Sequence, residues 1–309
     1  MKSFLKNIFS SLISKENDRT IFSIGSAHFS KMKKNYPDIK SLIEVDYKVF
    51  SQNGEDGIID FLTYILNIKN IKFIEIGVGD YTECNTRFLT YNFPFQGLVC
   101  DFNEKLKSNI GTLVSTHRGN IKIFNNFINE QNIIKILEEN NFNKDVNLFS
   151  LDIDGNDYFI LRLLPDNFSD IFIAEYNQNF GSELEVTTPY VNNFDRFKYH
   201  YSGLCWGLSI KSLVKLMESK GYVFLGSNTE CCNAFFIKKK NKYKLNENFN
   251  LNINLSECCN DFVCDARDKN GNLNKLSIRE RLELVKNCEV IDLSDDNQNK
   301  KYISEILKK

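Results

Sequence analysis

From about Lys72 onward, short apolar runs alternate with longer stretches of helical periodicity, and no other feature restricts the fold of this chain as much. The pattern predicts strands over Ile71 to Ile76, Gly97 to Asp101, Asn120 to Asn125, Val146 to Ile153 and Ile171 to Tyr176. Their buried character calls for a sheet covered on both faces, and so a mostly parallel one. Between them, "NEQNIIKILEENN" sets Ile133, Ile134, Ile136 and Leu137 at helical spacing, and "SIKSLVKLMESKG" runs from Ser209 to a stop at Gly221. Two further runs, "YVFLGSN" and "NAFFIKK", lie only a few residues apart, which suits an antiparallel hairpin and not another crossover. The expected fold class is α/β, a mostly parallel seven-stranded sheet ending in an antiparallel hairpin.

At 309 residues the chain has length for one large domain, or one domain with an appendage. Residues 1–44 read as a helical lead-in segment, 45–240 as the main domain, and 241–309 as an Asn-rich C-terminal appendage whose one clear pattern is "LSIRERLELVK", with Ile278, Leu282 and Val285 on an apolar face. A hydrophobic content of 42% and a charged content of 26% argue against disorder, and a net charge of -1 gives no electrostatic reason to expect nucleic acid.

The 9 Cys read as reduced thiols in a cytoplasm; zinc is the sharper alternative, but "ECCNAF" and "ECCNDFVC", which ends on Cys264, lack C-x-x-C spacing. The N-terminal "MKSFLKNIFSSLISK" puts Phe4, Leu5, Ile8, Phe9, Leu12 and Ile13 on one helical face, with Lys2 and Lys6 outside it. Its interrupted apolar run is no signal peptide, and nothing approaches a transmembrane span. Packing on the domain or a partner is the expectation, with a membrane-surface contact as the weaker alternative.

The chemistry concentrates where these strands end. In "KFIEIGVGDYTECNTRF", Gly77 and Gly79 stand at a strand-to-helix turn, where the backbone can approach a ligand that a Cβ would repel. The dinucleotide fingerprint needs a third Gly where Thr82 stands, which counts against NAD. Glu75 would repel a pyrophosphate but attract an ammonium, directly or through water. Asp101, 22 residues after Gly79, ends the second strand where a carboxylate accepts both hydroxyls of a ribose, or else caps the next helix. After the third strand, Asn126 and Phe127 fall where an adenine needs an edge partner and a flat wall, although a Phe there is more often core.

The fourth strand leads into "LDIDGND", which groups Asp152, Asp154 and Asp157, and the fifth into "AEYN". Asp154, Glu175 and Asn177 carry the oxygen ligands that Mg2+ prefers; the alternative is a hydrogen-bonded turn with Gly155 left-handed. His200, in the aromatic loop "FKYHYSGLCWG", has the ionisation to take a proton from an acceptor, or packs as a loop residue.

The blocks "SQNGEDGIIDF", "KFIEIGVGDYTECNTRFL", "LFSLDIDGNDYFIL", "AEYNQNFG", "HYSGLCWGLSIKSLVKL", "GYVFLGSNTECCNAFFIKK" and "ARDKNGNLNKLSIRERL" together resemble a bacterial FkbM-like group of methyltransferases that use S-adenosylmethionine (SAM), often associated with surface glycans. The resemblance spans about residues 45 to 295. It implies a Rossmann-like class I methyltransferase fold, SAM as cofactor, and Glu75, Gly77, Gly79 and Asp101 on the SAM-binding positions. It also implies catalytic duty for Asp152 and Asp154, and cofactor contacts from Asp152 and from Gln52 and Asp56 of "SQNGEDG". Where the group has "GASL" and "SAGNNAFF" patterns, this chain reads "GLSI" and "NTECCNAFF", so the acceptor pocket departs from the group.

The function expected is O-methylation of a sugar or sugar-linked group in capsule or lipopolysaccharide synthesis, with a small-molecule, sugar-nucleotide or glycan acceptor and homo-oligomerisation left open. The alternatives are an NAD-dependent nucleotide-sugar oxidoreductase and a non-catalytic Rossmann-like binding module.

Overall fold

The computed structural model describes residues 2–114, 116–260, 266–295 and 297–308, with side chains from residue 16 onward. The apolar face expected over residues 4–13, and Cys264 of the cysteine-rich segment, therefore lie outside the described residues.

The strands are β1 (Ile71–Ile76), β2 (Phe95–Cys100), β3 (Gly119–Phe124), β4 (Val146–Leu151), β5 (Ser169–Glu175), β6 (Val186–Thr187), β7 (Tyr222–Ser227), β8 (Asn233–Lys238), β9 (Glu289–Asp292) and β10 (Lys300–Tyr302). Seven of them form one sheet in the order β3-β2-β1-β4-β5-β8-β7. Pairing is parallel from β3 to β5, and β8 is antiparallel to both β5 and β7. This is the Rossmann-like sheet with a terminal antiparallel hairpin that the sequence pattern predicts.

Alternation along each strand feeds two cores, one on each face. Ile74, Ile76, Phe149, Leu151 and Phe172 face one side, while Ile71, Phe73, Leu148, Ile171 and Ile173 face the other. Both sets are buried, which is why the strands read as unbroken apolar runs. The chain builds outward from β1 to β3, then returns to place β4 on the other side of β1. That reversal opens a crevice at the carboxyl ends of β1 and β4, the position where sheets of this kind bind ligands.

The helix Lys2–Met32 docks by its second half. Phe22 and Phe29 pack with Val49, Phe50 and Phe88, and Arg87 pairs with Asp18 while lying over the Phe50 ring. At the other end of the chain, β9 pairs with β10 and with β6, forming a small sheet that sequence periodicity did not anticipate. The helix Ile278–Val285 has Ser277 and Glu280 as a reciprocal capping box. It inserts a fully buried Arg281, which donates to the Leu276 carbonyl at 2.9 Å and the Asn179 side-chain oxygen at 3.3 Å.

Candidate active site

The backbone ladder continues past the strand ends and fixes the first residue beyond each. Gly77 N–H donates to the Cys100 carbonyl at 2.9 Å, Asp152 N–H to Ile76 at 3.0 Å, and Asp101 N–H to Phe124 at 3.2 Å. Glu75, Gly77, Asp101, Asp152 and Glu175 therefore line one edge of the sheet.

Gly77 has φ +87, and a Cβ there would overlap the Asp152 carbonyl oxygen, so the crossing of β1 past β4 admits only glycine. Gly79 differs. Its φ is +55, and a Cβ would meet nothing within 4 Å, so its backbone borders open space. Two residues on, Tyr81 is held at φ 70 although fully buried, a conformation that a bulky residue adopts only when its surroundings force it. Its hydroxyl lies 3.0 Å from Thr86 Oγ1.

Glu75 closes this loop from below. Its carboxylate accepts the N–H groups of Asn85 at 2.7 Å and Thr86 at 2.9 Å, together with the Thr86 hydroxyl. Burial pushes its pKa up to about 7, against the pull of those bonds. Glu75 thus spends its lone pairs on the loop that follows the glycines, and anchors the cradle in addition to bordering it.

Asp101 ties the turn to the second strand. One oxygen accepts Gly79 N–H at 2.7 Å and the other Asn103 N–H at 2.8 Å, while partial burial raises its pKa. Immediately beyond it stands Phe102, 60% exposed, stacked on Phe127 with centroids 4.3 Å apart and an interplanar angle of 14°. Asn126 beside Phe127 is exposed. Phe127 is therefore no core residue, and sequence reading missed Phe102, whose signal was an aromatic directly after the strand-end acid. This exposed aromatic pair beside the strand-end carboxylate offers a flat apolar face on which a planar ring could stack. Base-to-aromatic stacking is worth about 1–3 kcal/mol, so Phe102→Ala should weaken S-adenosylhomocysteine binding by about tenfold in calorimetry. An unchanged affinity would remove the ring from the site.

The acids beyond β4 and β5 converge. Asp152, Asp154 and Glu175 bring one oxygen each within 4.8 Å of one another. Burial and the Asp154 charge push Asp152 up to about 8, burial and the Asp152 charge push Glu175 well above its ordinary value, and the two share a hydrogen bond. One proton is thus held between them. Glu175 Oε2 is buried without a hydrogen-bond partner. Asp157, raised to about 6 by burial, accepts Ile153 and Gly155 N–H and shapes the turn. The left-handed residue in that turn is Asp154, at φ 56, and not Gly155. Phe194 lies where a Gly155 Cβ would go, and Arg196 pairs with the exposed Asp154 at 3.1 Å.

Asn177 stands apart from this group. Its buried amide donates to the Leu204 and Trp206 carbonyls at 2.8 Å and accepts Asn179 N–H at 3.0 Å, so the third carboxylate is Asp152 instead. Asp56 is likewise committed to a turn, with one oxygen taking the N–H groups of Val49, Phe50 and Ser51. At 1% exposure it has no surface to offer a ligand. Gln52 is exposed and gives its carbonyl to Lys48 Nζ at 2.8 Å. His200 is half-buried, with Nδ1 2.7 Å from Ser202 Oγ and its pKa lowered by burial. It follows the helix Arg196–Tyr199, whose Arg196 reaches the acid cluster.

A hard divalent cation fits this cluster. All three ligands are carboxylates, one of their oxygens is buried and unpaired, and the pair that now needs a shared proton would ionise beside a cation. Among the described residues no cysteine enters such a group, and Cys84, Cys100, Cys231 and Cys258 are buried free thiols.

No protein-family model matches the chain, and no curated protein matches it. Among solved structures it is similar to the small RNA methyltransferase HEN1, at 11% identity and a TM-score of 0.32, covering 58% of this chain and 25% of that one. The chain thus spans about a quarter of that structure. It is also similar to the cyclopropane synthase MmaA2 from Mycobacterium tuberculosis, at 10% identity, TM-score 0.33, and 64% and 75% coverage. A SAM-dependent methyltransferase from Anabaena variabilis shows 11% identity, TM-score 0.35, and 71% and 95% coverage. Likeness at this level carries no inference about activity, which has to come from the site.

Proposed function

We propose that this chain is a SAM-dependent methyltransferase that methylates a hydroxyl of a sugar or sugar-linked group in surface-glycan synthesis, in keeping with its FkbM-like resemblance. The observation that supports the reading most is the tie between Asp101 and Gly79. One carboxylate that can hold ribose hydroxyls is bonded to the one turn glycine that borders open space, next to the exposed Phe102–Phe127 stack. When bound, SAM supplies a methyl group already activated by a sulfonium. The protein's task is then to align the acceptor hydroxyl in line with that methyl and to remove its proton.

Asp152, Asp154 and Glu175 would hold Mg2+ and acidify the acceptor hydroxyl there. His200 is the proposed proton acceptor. A carboxylate-lined crevice also favours a cofactor carrying sulfonium and ammonium charge over the pyrophosphate of NAD. The glycan acceptor rests on the resemblance alone, and a cytoplasmic location on the reading of the cysteines as reduced thiols. Among the described residues no helix is long and apolar enough to cross a membrane.

Calorimetric titration of the protein with SAM, S-adenosylhomocysteine and NAD tests the cofactor. Binding of both sulfur nucleotides and not NAD is expected; NAD alone would replace the reading with the oxidoreductase. Incubation with SAM and a cell-envelope sugar pool should then yield a product heavier by one methylene. His200→Ala should lose that product and keep SAM affinity, and unchanged turnover would remove His200 as the base.

A further inference from the structure

The net charge of -1 conceals a separation of charge along the strand direction. The carboxyl ends of the strands carry Glu75, Asp101, Asp152 and Glu175, as described above. The opposite edge is basic. Lys69 precedes β1, Arg118 precedes β3, Lys144 precedes β4, and the run "KKKNKYK" starts on the last residue of β8, all at the same end of the sheet. Lys69, Arg118, Lys144, Lys239, Lys240 and Lys242 are exposed. Acids are also present at this edge: Asp145, Asp166 and Asp170, the last paired with Lys238 at 3.1 Å, and Glu138, Glu139 and Glu218 in the last turns of the helices that lead into β4 and β7.

One element gives this edge a form suited to a particular partner. A cleft of about 460 Å³ opens between the starts of β4 and β5 and the end of β8, with Lys144, Lys238 and Lys240 on its walls balanced by Asp145, Asp166 and Asp170. Next to it, the 3-10 turn Lys239–Lys244 carries no buried residue and presents Tyr243 at 79% exposure. A Tyr with an apolar body and a polar tip beside several lysines is the combination that settles at a lipid headgroup layer.

We propose that this edge is a docking face for an anionic phospholipid surface, with Lys239, Lys240 and Lys242 against the headgroups and Tyr243 at the interface. The basic residues are spread over a face that runs from β3 to β8, about 24 Å at the usual strand spacing. They do not line a groove that could track a nucleic acid backbone. Docked this way, the crevice at the other end of the strands faces the aqueous phase. The inference rests on surface charge and geometry and stands apart from the methyltransferase reading.

Co-sedimentation of the full chain with phosphatidylcholine vesicles, with and without phosphatidylglycerol, tests it. Each Lys near an anionic surface strengthens attachment about fivefold, and the attraction is screened within a Debye length. Binding is therefore expected only with phosphatidylglycerol, and should weaken as salt rises. The triple change K239E/K240E/K242E should lower partition by at least about tenfold, with the circular dichroism and thermal midpoint of the unchanged protein. Should charge reversal disturb folding, Lys→Gln at the same three positions gives a smaller loss of the same sign. Tyr243→Ala should weaken binding without altering its salt dependence. Failure of the unchanged protein to sediment with phosphatidylglycerol at low salt would overturn the proposal. So would equal partition of the triple variant, or retention on duplex DNA without vesicle binding.

Discussion

Gly77→Ala should unfold the protein at a markedly lower temperature, while Gly79→Ala should lower the midpoint by only a few degrees and weaken cofactor binding. The two glycines are two residues apart in one turn and both have positive φ, yet the space around them differs. At Gly77, φ +87 is strained for any residue with a Cβ, and the added carbon collides with the Asp152 carbonyl. That oxygen belongs to backbone pinned by the Asp152 N–H bond to Ile76, so neither side can retreat without parting β1 from β4.

Strain and overpacking together cost about 4 kcal/mol or more, roughly 10 °C in midpoint for a chain of this size. At Gly79 the backbone lies in the ordinary left-handed region, which costs a non-glycine residue about 1–2 kcal/mol, and no protein atom is displaced. The Cβ would instead occupy the open side of the cradle. S-adenosylhomocysteine affinity should then fall by more than about tenfold, because the added carbon stands where a ligand would approach the backbone. Thermal melts and calorimetry on the two variants separate these effects. Equal destabilisation by both would mean that the turn is merely structural, and unchanged nucleotide binding in Gly79→Ala would place the cofactor elsewhere.

The sheet was legible because its signal is local. β1 spans the predicted residues, and the other parallel strands begin or end within about two residues of expectation, since apolar runs between helical stretches record burial on both faces. The Gly-rich turn and the strand-end acids were legible for the same reason, as strand-end position follows directly from strand position.

What escaped depended on contacts distant in sequence. Asn177 carries the right atoms for a metal ligand, but its partners are the carbonyls of Leu204 and Trp206, and nothing near residue 177 announces them. Arg281 lies outside the apolar face of Ile278, Leu282 and Val285, and is buried because Leu276, Asn179 and Asn260 supply its acceptors. β6 is two residues long, below the length at which alternation can be detected, so its sheet with β9 and β10 left no periodic trace. A summed charge likewise cannot show that acids and bases occupy opposite ends of the same strands.

Glu175→Gln should make the protein more stable at alkaline pH and flatten its pH dependence. Both members of the Asp152–Glu175 pair have folded pKa values raised above their unfolded ones, first by burial and then by neighbouring carboxylate charge, that of Asp154 on Asp152, which reaches about 8, and those of Asp152 and Asp154 on Glu175. The folded state therefore binds more protons than the unfolded state between about pH 4 and pH 8. Stability associated with the pair is full below the unfolded pKa, near pH 4, and is lost as pH rises through about 8. Glu75, raised to about 7, and Asp157, raised to about 6, add slopes of the same sign.

A glutamine at position 175 removes the raised Glu175 ionisation and its share of the slope, while its amide can donate to Asp152, whose own pKa stays raised by burial and by Asp154. After allowance for relaxation and water entry, the gain at about pH 8.5 is about 2 kcal/mol, with little change at about pH 5. Urea unfolding at the two pH values measures it. Mg2+ should act on the unchanged protein in the same direction, raising the midpoint at about pH 8.5 by holding both carboxylates ionised, and should do much less for Glu175→Gln, which has lost one charged ligand. A Gln variant with the parent's slope would show that the two carboxyls do not share a proton. An equal response of both proteins to Mg2+ would place the cation away from Glu175, and with it the acidification of the acceptor proposed for this site.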